Sequence, residues 1–413
     1  MSRHQPALAF IMVTLLIDVI GIGLIIPILP ILVGEFTGSR EAQTYWYCAI
    51  AATYAATQFL CAPLLGALSD RYGRRPLLLL GISGLGATFL LTAFANSLWI
   101  IVASRVVGGG LSANFAVAQA YAADITPPER RTQSLGMLGA MFGIGFVLGP
   151  MLGGVLGHLS LRLPLYVAAA LCTLNWIYGL LVLPESLAPE RRQPVRLARV
   201  NPFSALAGIG RLKGVGALVL SLAFNVLPQL IMQTTWVLYT SFKFGWGPRE
   251  AGFSLFMVGL VAVVVQGGLL GRLLPLLGER RLVLIGQTSS LIVYACYGLV
   301  SHGWMMVALT ACNFMGFATV ITLQGIVSKA AGADEQGRTM GTLASLGSLM
   351  GVLAPVISTV LAQVTTLPTS DWRVGAPFFV CSGMMATALL ITWRHFARSG
   401  AAPLPATLPH PAD

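Results

Sequence analysis

Apolar runs of about 20 residues recur along the whole chain, separated by short breaks that carry most of its charge. A helix of that length matches the ~30 Å hydrocarbon core of a bilayer, and no water-soluble core absorbs one such run after another. Reading the runs between charged or Gly/Pro-rich breaks predicts spans at 7 to 33, 45 to 68, 77 to 95, 98 to 122, 134 to 157, 164 to 183, 214 to 240, 251 to 275, 282 to 300, 303 to 328, 340 to 364 and 374 to 394. Composition agrees, with 56% apolar and only 9% charged residues, too few to clothe a water-exposed surface. The expected fold class is an all-α membrane protein with the lipid bilayer as its main solvent.

Twelve spans put both termini on one side. If that side is cytoplasmic, its segments hold nineteen Lys/Arg residues, while the opposite side holds Arg40, Arg162, Lys243, Arg249 and Arg373. This positive-inside bias predicts cytoplasmic termini, and it explains the net charge of +11 without nucleic acid as a partner. Arg3 and His4 precede the first run as in a signal peptide, but the stretch from Ala7 to Val33 has no small-residue cleavage site and is expected to stay attached. All six cysteines lie in apolar stretches without C-x-x-C spacing and read as small buried hydrophobes.

The longest non-spanning stretch, Pro184 to Lys213, is basic and falls after the sixth span. It divides the chain into a first six-helix bundle (1–183), a linker (184–213), a second bundle (214–397) and a Pro/Ala-rich tail (398–413) expected to be disordered. Internal similarity supports the division. Gly66-Ala-Leu68 and Gly73-Arg74-Arg75 recur as Gly271-Arg-Leu273 and Gly278-Glu279-Arg280-Arg281, and Gly149-Pro150 recurs as Ala354-Pro355 at the same offset. Parallel repeats of this kind place a substrate site near the midplane between the halves.

Between spans two and three stands Gly66-Ala-Leu-Ser-Asp70-Arg71-Tyr-Gly73-Arg74-Arg75-Pro76. It resembles the cytoplasmic loop signature of the major facilitator superfamily, G-x-L-x-D-R-x-G-R-R/K. Asp70, at the negative end of its own helix dipole, requires a partner elsewhere. The resemblance implies that Asp70 caps the start of span eleven in the outward-facing state and that Arg74 pairs with Asp124 at the end of span four. In span five, Gly145-Phe-Val-Leu-Gly149-Pro150-Met-Leu-Gly153-Gly154 is similar to the antiporter motif of drug exporters in that superfamily. Glycines 145, 149 and 153 share a face that lets a neighbouring backbone approach, and Pro150 bends the helix.

Taken together, the chain resembles the drug:proton antiporters of that superfamily, in particular the tetracycline-exporter group, over nearly its whole length. That likeness implies two pseudo-symmetric six-helix bundles, proton-coupled efflux of small amphipathic molecules by alternating access, no cofactor or metal, and a monomer in a bacterial inner membrane. One departure stands out. Exporters of that group usually carry acids in spans three and nine and a histidine in span eight, and this chain has none of them at depth, which leaves metal-chelated tetracycline open as a substrate.

Only one acid and one base, Asp18 and Arg105, lie deep in predicted spans. A charge at the bilayer centre costs about 2.5 to 3.5 kcal/mol even on lenient scales, so each is expected to face the interior. Their depths along spans one and four agree within a few Å, so an ion pair or water-bridged pair is expected. Burial favours the neutral acid and the guanidinium favours the carboxylate, which makes Asp18 the candidate proton carrier. The alternative is a fixed structural pair. In span seven Asn225, Gln229, Gln233 and Trp236 form a polar stripe expected to line a cavity, joined by Gln58, Gln119 and Gln324. A runner-up reading is transport of an endogenous sugar or organic acid, with Arg105 holding a carboxylate. No cluster of catalytic groups supports an enzyme, and no phosphate-binding loop supports an ATP-driven pump.

Overall fold

The computed structural model describes residues 5–195, 201, 203, 216–330 and 336–399. Arg3, His4, Arg196, Arg199, Arg211, Lys213 and the tail from residue 400 lie outside the described residues, and the last helix runs on to Ser399. Among the described residues every regular element is helical.

The first span is Gln5–Ile25, which breaks at Pro27 and resumes as Leu29–Gly34 with Pro30 in its first turn. Proline suits that position because it has no N–H to offer the preceding turn. The second span, Arg40–Tyr72, starts on Ser39, whose hydroxyl accepts from the Ala42 N–H at 3.1 Å. The third is Arg74–Ala93, the fifth Arg131–Leu159, the sixth Leu163–Val182 and the seventh Gly216–Phe244. The fourth is not the single helix expected. It breaks after three consecutive glycines into Leu98–Gly110 and Asn114–Ile125. Its repeat counterpart, the tenth, is likewise two pieces, Gly303–Cys312 and Phe314–Ala330, bent by 46°.

Helical structure runs from Pro248 to Leu299, 52 residues. At 1.5 Å per residue that would be about 78 Å, far beyond a bilayer core. Gly278 resolves the excess, because at φ 72° and ψ 159° it turns the chain and separates the eighth span from the ninth. Within the eighth, a single π-helical turn occupies Val265–Leu269. Gln336–Ser358 with Val360–Val364 forms the eleventh, and Ala376–Ser399 the twelfth.

Apolar side chains such as Leu159, Leu181, Leu276 and Ile292 point outward, the reverse of a soluble protein. Trp99, Trp304 and Trp372 are exposed at the end opposite the arginine-rich loops, at the level where amphipathic rings meet headgroups.

The halves meet mainly through spans five with eight and two with eleven, and these contacts are uneven. At the end away from the arginines, a Cβ on Gly154 would lie 2.6 Å from the Pro248 carbonyl oxygen, and Arg40 Nη1 stands 3.5 Å from Ser241 Oγ across the interface. Midway, a Cβ on Gly143 would meet Val263 only at 3.8 Å. Further toward the arginine-rich end, Gly136, Gly139, Gly267 and Gly268 have nothing within 4 Å of that position. The two bundles are thus shut at one end and splayed at the other.

Candidate functional site

Asp18 is 3% exposed in the first span. Asn114 Nδ2 donates to its Oδ2 at 2.6 Å, while Oδ1 is buried without a hydrogen-bond partner. One turn earlier Thr14 Oγ1 donates to Asn175 Oδ1 at 3.1 Å, and Asn175 Nδ2 is also buried and unsatisfied. The break at residues 111–113 brings this about, since Asn114 opens the second piece of the fourth span and packs over Gly81, where a Cβ would collide with its Oδ1.

Arg105 is not the partner expected for Asp18. Its Nη2 donates to Thr92 Oγ1 at 2.9 Å, its Nε to Ser104 Oγ at 3.4 Å, and its guanidinium lies 6.0 Å from the Tyr54 ring centre. Depth along two helices was legible, but the face each side chain takes was not. Arg105 looks toward spans two and three, and Asp18 toward spans four and six. At the repeat offset, the Arg105–Thr92 contact is matched by Tyr297 and Thr310, whose hydroxyls are 2.7 Å apart.

The glycine face of span five sits on the helix that carries Asp18. A Cβ on Gly145 would lie 2.8 Å from Val19 Cβ, one on Gly149 2.7 Å from Gly23 Cα, and one on Gly153 would strike the Leu24 carbonyl. Gly154 points the other way, onto the eighth span at Pro248 and Gly252. Small residues here replace side-chain packing with backbone contact on two sides. Pro150 lies inside the helix between these contacts.

At the arginine-rich end, Arg74 bridges two acids: Nη1 to Asp70 at 2.6 Å and Nε to Asp124 at 3.2 Å. Asp70 is thereby partnered while still about half exposed. Arg71 lies over the Tyr72 ring, its guanidinium 5.1 Å from the ring centre. Gly66 has open space around its Cβ position. Gly73, at φ 110°, leaves room for Glu185, whose carboxylate accepts from the backbone N–H of Arg74 at 2.8 Å and of Arg75 at 3.2 Å. A carboxylate on the first N–H groups of span three satisfies donors that no intrahelical acceptor can reach. The second half repeats the plan with its signs exchanged: Gly278 takes the place of Gly73, and Glu279 pairs with Lys329 at the positions of Arg74 and Asp124.

A cavity of about 280 Å³ opens between the bundles and lies mostly against the second half. Asn225, Gln229, Gln233 and Trp236 line it; Gln58, Gln119 and Gln324 do not. Gln58 instead donates to Ser112 Oγ at 3.0 Å inside the first bundle. Sequence reasoning missed Asn313 at the break of span ten, Gln266 on the π turn and Phe146 from span five, the first half's sole contribution among the described residues. An amide isolated in an apolar run was the available signal for the first two. Phe146 carried none, being one apolar residue among many. Among the described residues there is no group of three or more His, Cys, Asp or Glu able to hold a metal ion.

A buried acid in one bundle, a neutral chamber against the other and a wedge open at one end describe a molecule built to pass solutes. A model of the Major Facilitator Superfamily matches residues 11–355. The chain belongs to that superfamily. The class C tetracycline resistance protein of Escherichia coli is 35% identical over 380 residues, covering 92% of this chain and 96% of that protein. The class H tetracycline resistance protein of Pasteurella multocida is 33% identical over 356 residues, covering 86% and 88%. A crystal structure of a human organic anion transporter shares the fold with a TM-score of 0.69 at 24% identity, covering 95% of this chain and all of that one. As a facilitator-superfamily member similar to tetracycline resistance proteins, the chain is a multi-pass membrane transporter rather than an enzyme, with two pseudo-symmetric six-helix bundles.

Proposed function

We propose that this transporter exports small amphipathic molecules in exchange for protons by alternating access, with Asp18 as the proton-carrying group and both termini in the cytoplasm of a bacterial cell. The observation that carries the reading is the unsatisfied Oδ1 of Asp18, in a helix seated on the glycine face of span five. With one oxygen held by a single neutral amide and the other unpartnered, the carboxyl has an open position at which a proton can sit.

The arginine-rich end is cytoplasmic by the positive-inside rule, so the splayed arrangement is the inward-open state. Substrate enters the cavity from that side. Closure of the wedge brings the start of span eleven toward Asp70, and separation of Gly154 from Pro248 opens the outer side, where a proton returns to Asp18. Phe146 follows Gly145 directly, so movement of span one against span five reaches the cavity wall without an intermediary. The organic-acid reading loses its support, because Arg105 is engaged by Thr92 and Ser104 away from the cavity.

The test is efflux of a panel of amphipathic drugs, chloramphenicol and tetracycline among them, from proteoliposomes with an imposed pH gradient. Wild-type protein is expected to acidify the compartment that receives protons in step with drug movement, and Asp18→Asn to bind drug without gradient-driven flux. Gradient-driven flux in Asp18→Asn equal to wild type would remove Asp18 from the mechanism.

A further inference from the structure

We infer that the cavity takes its ligand uncharged and free of metal, recognised by one fixed acceptor and one fixed donor set in an aromatic wall. The inference rests on the proposed export function and names the ligand class of the same chamber.

Among the described residues that line the cavity, none is Asp, Glu, Lys, Arg or His. A cation or a magnesium chelate entering it would leave water without a counter-charge, and desolvating an unpaired charge costs far more than neutral hydrogen bonds return. The fixed polar atoms that remain available are those of two asparagine amides. Asn225 Nδ2 donates to the Ser221 carbonyl at 2.7 Å, which leaves Oδ1 as the acceptor for a ligand. Asn313 Oδ1 accepts from the Ser289 hydroxyl at 3.0 Å and from Ser290 at 3.2 Å, which leaves its Nδ2 as the donor.

The polar groups of Trp236 and Tyr297 are spent internally. Trp236 Nε1 donates to Ser254 Oγ at 2.9 Å, and the Tyr297 hydroxyl is paired with Thr310. Their rings therefore serve as surfaces, Trp236 meeting Tyr297 edge to face at 5.4 Å between centres. Preorganised amides reject a ligand that cannot answer them, because each would be left buried and unmade. The ligand class is thus a neutral aromatic molecule carrying both a hydrogen-bond donor and an acceptor.

Equilibrium dialysis of the purified full-length protein against three radiolabelled probes tests this. Chloramphenicol is neutral, aromatic and hydrogen-bonding; tetraphenylphosphonium is aromatic with a permanent positive charge and no donor; magnesium–tetracycline is a metal chelate. Wild-type protein is expected to bind chloramphenicol at least about tenfold more tightly than either of the others, a difference of ~1.4 kcal/mol. Gln229→Glu places a carboxylate at an exposed cavity position, so folding is not at risk, and it should raise tetraphenylphosphonium affinity by about tenfold or more. Asn225→Ala should weaken chloramphenicol and leave tetraphenylphosphonium unchanged. Tighter wild-type binding of the cation or the chelate, binding of none of the three, or indifference of the ranking to Gln229→Glu overturns the inference. Failures are separable: pH-driven export of tetraphenylphosphonium would sink this inference and keep proton coupling, whereas chloramphenicol binding without gradient-driven flux would do the reverse.

Discussion

Asp18 and Arg105 lie in the first bundle at 3% and 6% exposure, each held by neutral partners and closed off from the cavity. Asn225 and Asn313 are nearly as buried in the second, at 4% and 7%, yet each turns an amide atom toward open space. The repeat that built both bundles has thus left charge in one and neutral polarity in the other. A charge stays switchable only where few groups compensate it, whereas a ligand surface needs polar groups that are fixed and oriented. The two requirements conflict within one pocket, and placing them in separate bundles removes the conflict. Spans one and five connect Asp18 to the cavity wall at Phe146, and their backbone-to-backbone contact leaves no room for added atoms.

The strongest way to break that division is at the join. Gly149→Leu puts a side chain into the backbone of Gly23, and overpacking of this kind costs about 1–3 kcal/mol before any rearrangement. A lowered melting temperature in detergent, together with loss of flux, is the expected outcome. A stable, fully active variant would mean that spans one and five do not move as a packed unit. A subtler cut is Phe146→Ala, which removes a ring that the first half contributes to the cavity. Binding of chloramphenicol should weaken by roughly 1 kcal/mol, in line with partial loss of one buried ring, while proton uptake by Asp18 is kept. Equal loss of both would argue that ligand and proton share one site after all.

The smallest effect sharpens the comparison of the loops. Arg74 is 12% exposed between Asp70 and Asp124, but Lys329 and Glu279 are 71% and 36% exposed. Double-mutant cycles on thermal stability should therefore give a larger coupling for Arg74 with Asp124 than for Glu279 with Lys329, the latter within about 1 kcal/mol. The exchange Glu279→Lys with Lys329→Glu should restore whatever the single changes lose. Failure of that rescue would show that the mirrored pair is a contact of position rather than of charge.

Periodicity of apolar runs, the basic loops and the recurring glycine motifs determined the membrane fold, the number of spans and the two-bundle plan, because hydrophobic length and charge placement act locally and need no knowledge of neighbours. The span-seven stripe was legible for the same reason, since one helix face can be counted along the chain. Tertiary structure alone decided which groups meet. Asn114 reached Asp18 only because three glycines and Leu111–Ala113 interrupt the fourth span, and Arg105 was drawn to Thr92 by the face it occupies. Glu185 found the start of span three across a distance in sequence that no local pattern records. Depth in the bilayer is written in the order of residues, but azimuth around a helix is set by what packs against it, and contacts between charges depend on azimuth.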